Sequence, residues 1–215
     1  MKSQTKVYLI RHVHTNASEK HIFQGQIDYP ISKLGENQLS ELNFFMKDKH
    51  IDALYTSPLE RAKITAEEIA SLNNLNVTVC KDLIDINGGA FEGKSFDLIL
   101  EEFPKEFRTY LDRPFEFKGV RGGETYLSVY NRIVKAINEL VKRNKNRSIA
   151  IITHGTCLEL FLHYLSGGTT EESINQKWIP NGACTFIIFD DDFVPTIQYI
   201  GLDSYLSNKF EEIKL

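Results

Sequence analysis

Short apolar runs alternate with longer amphipathic segments along this chain, and this alternation limits the possible folds more than any other feature. The apolar runs predict strands at residues 7–11, 53–56, 77–80, 149–153, 183–189 and 196–200. The amphipathic segments predict helices at residues 32–47, 58–72, 124–143 and 157–165. Because strands and helices alternate, we expect a layered α/β fold with a mostly parallel sheet.

Two of the predicted strands end in a histidine, and one of these histidines has an arginine beside it. The run Val7–Ile10 is followed by Arg11 and His12, and the run Ile149–Thr153 is followed by His154. In open α/β sheets ligands bind at the carboxyl ends of the strands, so these cationic and imidazole groups lie where a ligand is expected. The combination indicates a site for a doubly charged anion such as phosphate.

A third predicted strand, Ala53–Thr56, is joined to the next helix by Ser57 and Pro58, with Pro58 at a natural first helical position. Arg61 then lies in the first turn, near the positive end of the helix, where anions are favoured. The planar guanidinium donates hydrogen bonds in pairs and stays charged. Arg61 is therefore a second candidate phosphate ligand beside Arg11.

The composition indicates one globular domain over residues 1–215. A chain of 215 residues with 42% hydrophobic residues can bury a full core, and it contains no repeat, linker or low-complexity tract. The net charge of −4 and the scattered basic residues argue against a nucleic-acid partner. No apolar run approaches the roughly 20 residues of a membrane span, and no N-terminal leader is recognised, so we expect no membrane partner.

The three cysteines are far apart in the sequence and lie in apolar contexts: they are Cys80, Cys157 and Cys184. This pattern predicts buried free thiols rather than disulfides or zinc ligands. Free thiols are typical of a reducing compartment, so we expect a cytoplasmic protein.

Six motifs occur in the same order as in the phosphoglycerate-mutase-like branch of the histidine phosphatase superfamily, and they span nearly the whole chain. They are Leu9–His12 continuing to Thr15, Phe23–Gln26, Ser57–Ala62, Asp85–Gly93, Gly122–Thr125 and Thr153–Gly155. The chain therefore resembles that family. The resemblance implies a phosphoglycerate-mutase-like three-layer sandwich, in which helices flank a mostly parallel central sheet. It also implies a small phosphorylated substrate, with neither a metal nor another cofactor.

The resemblance implies that His12 is the nucleophile and becomes a phosphohistidine that water later hydrolyses. A neutral imidazole can attack phosphorus if a hydrogen bond to its other nitrogen fixes the tautomer. The transferred phosphoryl group carries negative charge on its equatorial oxygens, so cations must surround it. We therefore expect His154 to be protonated as a phosphate donor. The predicted phosphate-binding residues are Arg11, Ser18, Gln24, Arg61, His154 and Gly155, and the predicted catalytic residues are His12, Asp85 and His154.

Asp85 aligns with the glutamate that the family uses to protonate the leaving group. Such a carboxyl must be protonated at rest, so burial or nearby negative charge should raise its pKa. Asp82 and Glu92 are the competing candidates. We expect Asp82 to be exposed and Glu92 to hold the turn at Gly88–Gly93. We expect Glu124 to cap or brace the start of its helix.

Three positions near the N-terminus depart from the family pattern. Val13 replaces the glycine that usually follows the nucleophilic histidine, and a valine cannot take a positive φ without strain. His14 replaces an acidic residue. Ser18 replaces an asparagine that usually helps to hold the phosphate, and its hydroxyl offers one hydrogen bond with less reach. None of these changes removes an essential charge.

The segment 96–123 mixes aromatic and basic residues without a clean period. The resemblance implies that this insertion lies over the active site and shapes the choice of substrate. The alternative is that its aromatic residues only pack a surface helix onto the core.

Three kinds of function remain open at this point. The leading one is a metal-independent phosphomonoesterase acting through His12. The second is a phosphoglycerate mutase of the same chemistry, although the additional basic loop residues of the family's mutases are not found. The third is a metal hydrolase that uses the pair His12 and His14 as ligands, for which only His154 is otherwise well placed. A catalytically dead binding module is disfavoured, because Arg11, His12, Arg61 and His154 are all present.

Overall fold

The computed structural model describes residues 4–170, 174 and 178–207. Within these residues six strands form one sheet: β1 Thr5–Arg11, β2 Ala53–Thr56, β3 Val77–Val79, β4 Ser148–Thr153, β5 Cys184–Phe189 and β6 Pro195–Leu202. The α-helices there are α1 Asn16–Glu19, α2 Lys33–Met46, α3 Glu60–Asn73, α4 Phe96–Glu102, α5 Pro104–Asp112, α6 Tyr126–Arg143 and α7 Gly155–Leu165. No helix among the described residues is long and apolar enough to cross a membrane.

The strand order in the sheet is β3-β2-β4-β1-β5-β6. Strands β3, β2, β4 and β1 pair in parallel, while β5 and β6 continue the sheet with antiparallel pairing. The predicted α/β fold with a mostly parallel sheet flanked by helices is therefore confirmed. The two closing strands make the sheet mixed.

The core lies on both faces of the sheet, and β1 shows how the sequence produces this arrangement. Successive side chains of a strand point to opposite faces. Val7 and Leu9 accordingly join one buried cluster, with residues of α6 and α7, while Tyr8 and Ile10 join the other, with residues of α2 and α3. A strand that is buried on both faces needs a continuous apolar run, and β1 has one.

The parallel register brings three strand ends to the same edge of the sheet. Arg11 lies opposite Thr153 across β1 and β4, and Thr56 lies opposite Ile152 across β2 and β4. The residues that follow are His12, Ser57 and His154. Their side chains therefore meet, although they come from distant parts of the sequence.

Three predicted helix starts differ from those in the structure. Helix α3 begins at Glu60 with Leu59 as its N-cap, so Pro58 lies before the helix and not at its first position. Helix α6 begins at Tyr126 because the Thr125 hydroxyl caps it by accepting a hydrogen bond from the amide of Ser128. Helix α7 also begins two residues earlier than predicted, at Gly155.

The insertion 96–123 folds into α4, α5 and a short 3-10 turn. Three of its aromatic side chains, Phe103, Phe107 and Phe117, are buried around Phe91 with ring centroids 5.7 Å from it. Packing onto the core is therefore confirmed for these three residues. The predicted free thiols are present: Cys157 and Cys184 are buried, whereas Cys80 is only half-buried.

Candidate active site

His12 lies just beyond β1 and is 2% exposed. Its Nδ1 lies 2.7 Å from the carbonyl oxygen of Val13, and its Nε2 lies 3.3 Å from Nε of Arg61. A carbonyl only accepts hydrogen bonds and a guanidinium only donates them. Both contacts therefore assign the same tautomer, with the proton on Nδ1 and the lone pair on Nε2.

Burial lowers the pKa of His12 well below 6.5, and the positive charges of Arg61 and Arg11 lower it further. The imidazole is therefore neutral near pH 7. The amide of Asn181 adds a further restraint, because its Nδ2 donates to the carbonyl oxygen of His12 at 3.0 Å. A neutral, oriented imidazole is the form that can act as a nucleophile.

Arg11, the last residue of β1, is 6% exposed. Its Nη1 donates to the carbonyl oxygen of Ile179 at 2.6 Å, and its guanidinium lies 4.8 Å from the ring centre of Trp178. The same guanidinium is close to Gly155, since a Cβ at Gly155 would lie 3.3 Å from Cζ of Arg11 and 2.7 Å from the Trp178 ring. Gly155 thus lets the guanidinium approach the N-terminus of α7.

Arg61 is fully buried in the first turn of α3. Besides His12, its guanidinium donates to the carbonyl oxygens of Gly25 at 2.6 Å and Ile27 at 3.0 Å. Its Nη2 also lies 3.2 Å from Oδ2 of Asp85. Burial lowers the pKa of Arg61, and the neighbouring carboxylates oppose this shift. The charge is therefore held at a fixed position beside Nε2 of His12.

His154 lies at the N-cap position of α7, and its ring centre is 5.2 Å from that of His12. Its Nε2 lies 2.7 Å from the hydroxyl of Ser57, and its Nδ1 lies 3.6 Å from Oδ2 of Asp85. Burial lowers the pKa of His154 well below 6.5, and Arg61 lowers it further. The ring is therefore neutral near pH 7 in this structure, and protonation of His154 as a phosphate donor stays a prediction for the site with phosphate bound.

Asp85 is 14% exposed and lies between Arg61 and His154. Its Oδ1 accepts a hydrogen bond from the amide of Ile86 at 2.9 Å. Burial raises the pKa of Asp85, and the nearby Arg61 guanidinium opposes this effect. The direction of the shift is the one that a general acid requires.

The loop that carries Asp85 is braced from behind by an ion pair that the sequence did not reveal. Arg132 of α6 donates to the carbonyl oxygens of Ile84 at 2.6 Å and Asp85 at 3.3 Å. Its Nη2 also lies 3.0 Å from Oε2 of Glu124, which accepts the amide of Asn87 at 2.9 Å. Glu124 therefore braces the Asp85 loop, whereas the helix start, which we expected Glu124 to cap or brace, is capped by Thr125.

The two competing carboxylates lie outside the reacting region. Asp82 is exposed. Glu92 accepts hydrogen bonds from the amides of Gln26 at 2.8 Å and Gly88 at 2.9 Å, so it joins the turn at Gly88–Gly93 to the Gly25 loop. Both findings match the expectation for these residues.

Ser18 and Gln24 are brought together at the mouth of the site by Thr15. The Thr15 hydroxyl lies 3.1 Å from that of Ser18 and 2.9 Å from Oε1 of Gln24. Gln24 Nε2 in turn donates to the Ser18 hydroxyl at 3.3 Å. Two polar side chains from one loop therefore face the space beside His12.

Six of the eight predicted site residues line one cavity of about 570 Å³. The predicted residues that line it are Arg11, His12, Ser18, Gln24, Asp85 and Gly155. Arg61 and His154 lie directly behind them through their contacts with His12 and Asp85. Sequence reasoning missed Asn181, Trp178, Ser57 and Arg132, although the Ser57–Ala62 motif offered a signal for Ser57.

The paired-histidine metal site is not formed by the described side chains. His14 lies 2.7 Å from the Ser32 hydroxyl through its Nδ1, and it does not line the cavity that His12 lines. In the part of the chain that the structure describes, no three His, Cys, Asp or Glu residues are grouped so that they could hold a metal ion. Val13 is buried in the core, where its amide donates to the Thr65 hydroxyl at 3.2 Å.

The sequence also matches a known family. The model of the histidine phosphatase superfamily (branch 1) matches residues 7–200. The chain belongs to this superfamily. Phosphoserine phosphatase 1 of Hydrogenobacter thermophilus is 32% identical over 149 residues, which cover 69% of this chain and 70% of that protein. The metal-independent phosphoserine phosphatase of Arabidopsis thaliana is 24% identical over 193 residues, covering 81% and 79%.

The fold of this histidine phosphatase superfamily member matches that of solved structures. Bacillus stearothermophilus YhfR superimposes with a TM-score of 0.88 at 24% identity, over 94% of this chain and 99% of that one. This likeness shows the fold. The family and the two phosphatase relatives together support a phosphomonoesterase and favour it over the mutase alternative.

Proposed function

We propose that this protein is a metal-independent phosphatase that hydrolyses small phosphomonoesters through a phosphohistidine on His12. The observation that carries the proposal is the tautomer of His12. Its Nδ1 proton is held by the Val13 carbonyl at 2.7 Å, so the lone pair of Nε2 lies beside the fixed charge of Arg61. An imidazole held in this way can attack phosphorus without first losing a proton.

In the first step, the Nε2 lone pair of His12 forms a bond to phosphorus and the ester P–O bond breaks. The departing alkoxide takes the proton of Asp85, whose raised pKa favours the protonated form. As Nε2 becomes bonded to phosphorus, the Nε–H of Arg61 turns from that nitrogen to a phosphoryl oxygen. Arg11 and the amides at the start of α7 donate to the other oxygens.

In the second step, water attacks the phosphorus of the phosphohistidine and the P–N bond breaks. The Asp85 carboxylate takes one proton from that water, inorganic phosphate leaves, and His12 returns to its neutral form. A bound phosphate dianion favours protonation of His154, because opposite charge in contact raises the pKa of an imidazole. His154 then donates to phosphate through its second N–H.

The cavity sets the size of the substrate. A volume of about 570 Å³ lies within the range of ordinary small-molecule sites. Phe96, Tyr110 and Leu111 of the insertion line it, which supports a role for residues 96–123 in covering the site and selecting the substrate. Because two relatives are phosphoserine phosphatases, phosphoserine is a candidate substrate. The free cysteines support a location in the cytoplasm.

Trapping the intermediate tests the proposal. Brief incubation with a labelled phosphomonoester, followed by an alkaline quench, should leave acid-labile label on His12. His12→Asn should abolish both the label and turnover, whereas His50→Asn, at an exposed position away from the cavity, should retain both. Near-full turnover by His12→Asn would show that the nucleophile is another group.

Two further measurements separate the alternatives. Activity should survive EDTA, because Arg11 and Arg61 supply the positive charge, and loss that a divalent ion restores would favour a metal hydrolase. Arg11 is the one Lys or Arg among the described cavity residues, so the cavity lacks the further basic residues that a mutase needs for a second phosphorylated group. Phosphoryl exchange between 3- and 2-phosphoglycerate that outpaces phosphate release would favour the mutase.

A further inference from the structure

One carboxylate in the cavity has no part in the chemistry proposed above. Glu159 lies on α7, four residues after Gly155, and both residues line the cavity. Residues four apart lie on the same face of a helix, and four residues advance about 6 Å along its axis. The Glu159 side chain is therefore about one helical turn from the end of α7 where the phosphoryl group binds.

The Glu159 carboxylate has no hydrogen bond or ion pair with the residues that the structure describes. It lies near the side chains of Tyr110 and Tyr126, which are hydrogen-bonded to each other, and Tyr110 is also hydrogen-bonded to Thr156. Burial raises the pKa of Glu159 to about 7, and the positive charge of Arg11 only partly opposes this effect. A half-buried carboxylate without a partner is costly unless a ligand supplies one.

The charges around this part of the cavity favour a cationic ligand. Asp112 lines the same cavity as Glu159, and Arg11 is the one Lys or Arg that the described lining contains. Arg11 is itself directed to the Ile179 carbonyl and the Trp178 ring. Beyond the phosphate, therefore, the described lining includes carboxylates and aromatic rings besides His21, and both kinds of group attract an ammonium group.

We propose that Glu159 binds a protonated amine on the leaving group, so that the preferred substrates are phosphomonoesters of amino alcohols. The inference rests on the proposed phosphatase function and names its substrate class. A primary amine has a pKa of about 10 and is charged near neutral pH. The distance of about one helical turn suits an amine two or three bonds beyond the ester oxygen. Phosphoserine carries such an amine together with a carboxylate. O-Phosphoethanolamine carries the same amine without the carboxylate, so it tests the amine alone.

The test compares three small esters of similar length, which differ in the charge of the leaving group. O-Phosphoethanolamine carries an ammonium, ethyl phosphate carries no second charge, and phosphoglycolate carries a carboxylate. The measured quantity is kcat/KM for each ester with the wild-type enzyme and with Glu159→Gln. The ratio of phosphoethanolamine to ethyl phosphate should fall at least about 10-fold in the variant, the effect of one charge-assisted hydrogen bond. Comparing ratios between enzymes cancels the different intrinsic reactivities of the two esters.

Two further variants sharpen the result. Glu159→Lys should reverse the preference and raise phosphoglycolate above ethyl phosphate relative to wild type. Glu67→Gln, at an exposed position on α3, is the matched control and should keep the wild-type ratio. If Glu159→Gln and Glu159→Lys both keep that ratio, the assignment of Glu159 is wrong. If no ester and no p-nitrophenyl phosphate is hydrolysed by the wild type, the proposed function itself has failed.

Discussion

Replacing Glu159 by glutamine should stabilise the protein, and the gain should depend on pH. The wild-type carboxyl is half-buried, and burial raises its pKa from the ordinary 4.5 to about 7. Its charged and titratable neighbours are Arg11 on β1, Tyr110 on α5 and Tyr126 on α6, and Asp112 lines the same cavity. Glutamine keeps the shape of the side chain but never ionises, so it removes the cost of burying a charge.

The size of the effect follows from the pKa. Each pKa unit corresponds to about 1.4 kcal/mol. A rise in the pKa of Glu159 from 4.5 to about 7 therefore makes its ionised form about 3 kcal/mol less favourable in the folded state than in the unfolded chain. The protonated carboxyl of Glu159 makes its full contribution to the stability of the fold below pH 4.5. This contribution is lost as the pH rises through 7, because the buried carboxyl then ionises. Because the carboxyl is partly exposed, we expect roughly half of this amount, about 1.5 kcal/mol, above pH 7.

Thermal unfolding followed by circular dichroism measures this difference. For a domain of this size, 1 kcal/mol shifts Tm by about 2–4 °C, so Glu159→Gln should unfold about 3–6 °C above wild type at pH 8. At pH 5 the two proteins should differ by much less, because the wild-type carboxyl is then protonated in the folded state. Glu67→Gln, at an exposed position, should show the same small difference at both pH values.

One outcome would refute the reasoning. If Glu159→Gln unfolds below wild type at pH 8, the ionised carboxylate makes a stabilising contact within the protein. Its charge would then already be satisfied, and the argument for an amine ligand would lose its physical basis. An equal gain at pH 5 and pH 8 would also refute it, because the gain would not come from ionisation.

Three further predictions concern residues of the predicted site. Asp85→Asn should lose about 10²–10⁴-fold in kcat on an alkyl phosphate but far less on p-nitrophenyl phosphate, whose leaving group needs no proton; equal losses would contradict its role as acid. Arg61→Lys keeps the charge, but a lysine cannot reach His12, Gly25 and Asp85 together. The kcat of this variant should therefore fall about 10²–10³-fold, and near-wild-type turnover would contradict the role of Arg61. Gly155→Ala places a methyl group 2.7 Å from the Trp178 ring. The free energy of unfolding measured with denaturant should therefore fall by about 1–3 kcal/mol, and an unchanged value would mean that the ring moves freely.

Features that depend on local sequence were predictable. The apolar run of β1 predicted a central strand, and the parallel arrangement placed His12 and His154 at one edge because both follow strand ends. The start of α2 shows the same locality, since a helix was predicted from residue 32 and the Ser32 hydroxyl caps it by accepting the amide of Gly35 at 3.1 Å. In these cases a few neighbouring residues determine the structure.

Features that depend on tertiary packing were not predictable. Arg132 reaches a carbonyl 47 residues earlier in the chain, and no local pattern distinguishes it from the other exposed-looking cations of α6. Asn181 and Trp178 lie in a segment without strand or helix periodicity. The neutral state of His154 follows from burial beside Arg61, which depends on how three distant strand ends meet.

The hydrogen bond from Asn181 to the carbonyl oxygen of His12 has a consequence for synthesis of the protein. The two residues are 169 positions apart, and β1 lies between β4 and β5, which are formed by residues 148–189. During translation the nucleophile therefore leaves the ribosome early, but its strand has no neighbours on either side until most of the chain has followed. Such long-range pairing folds slowly and leaves an apolar strand exposed in the meantime. A nascent chain that stops before Asn181 therefore displays the histidine but has no assembled enzyme.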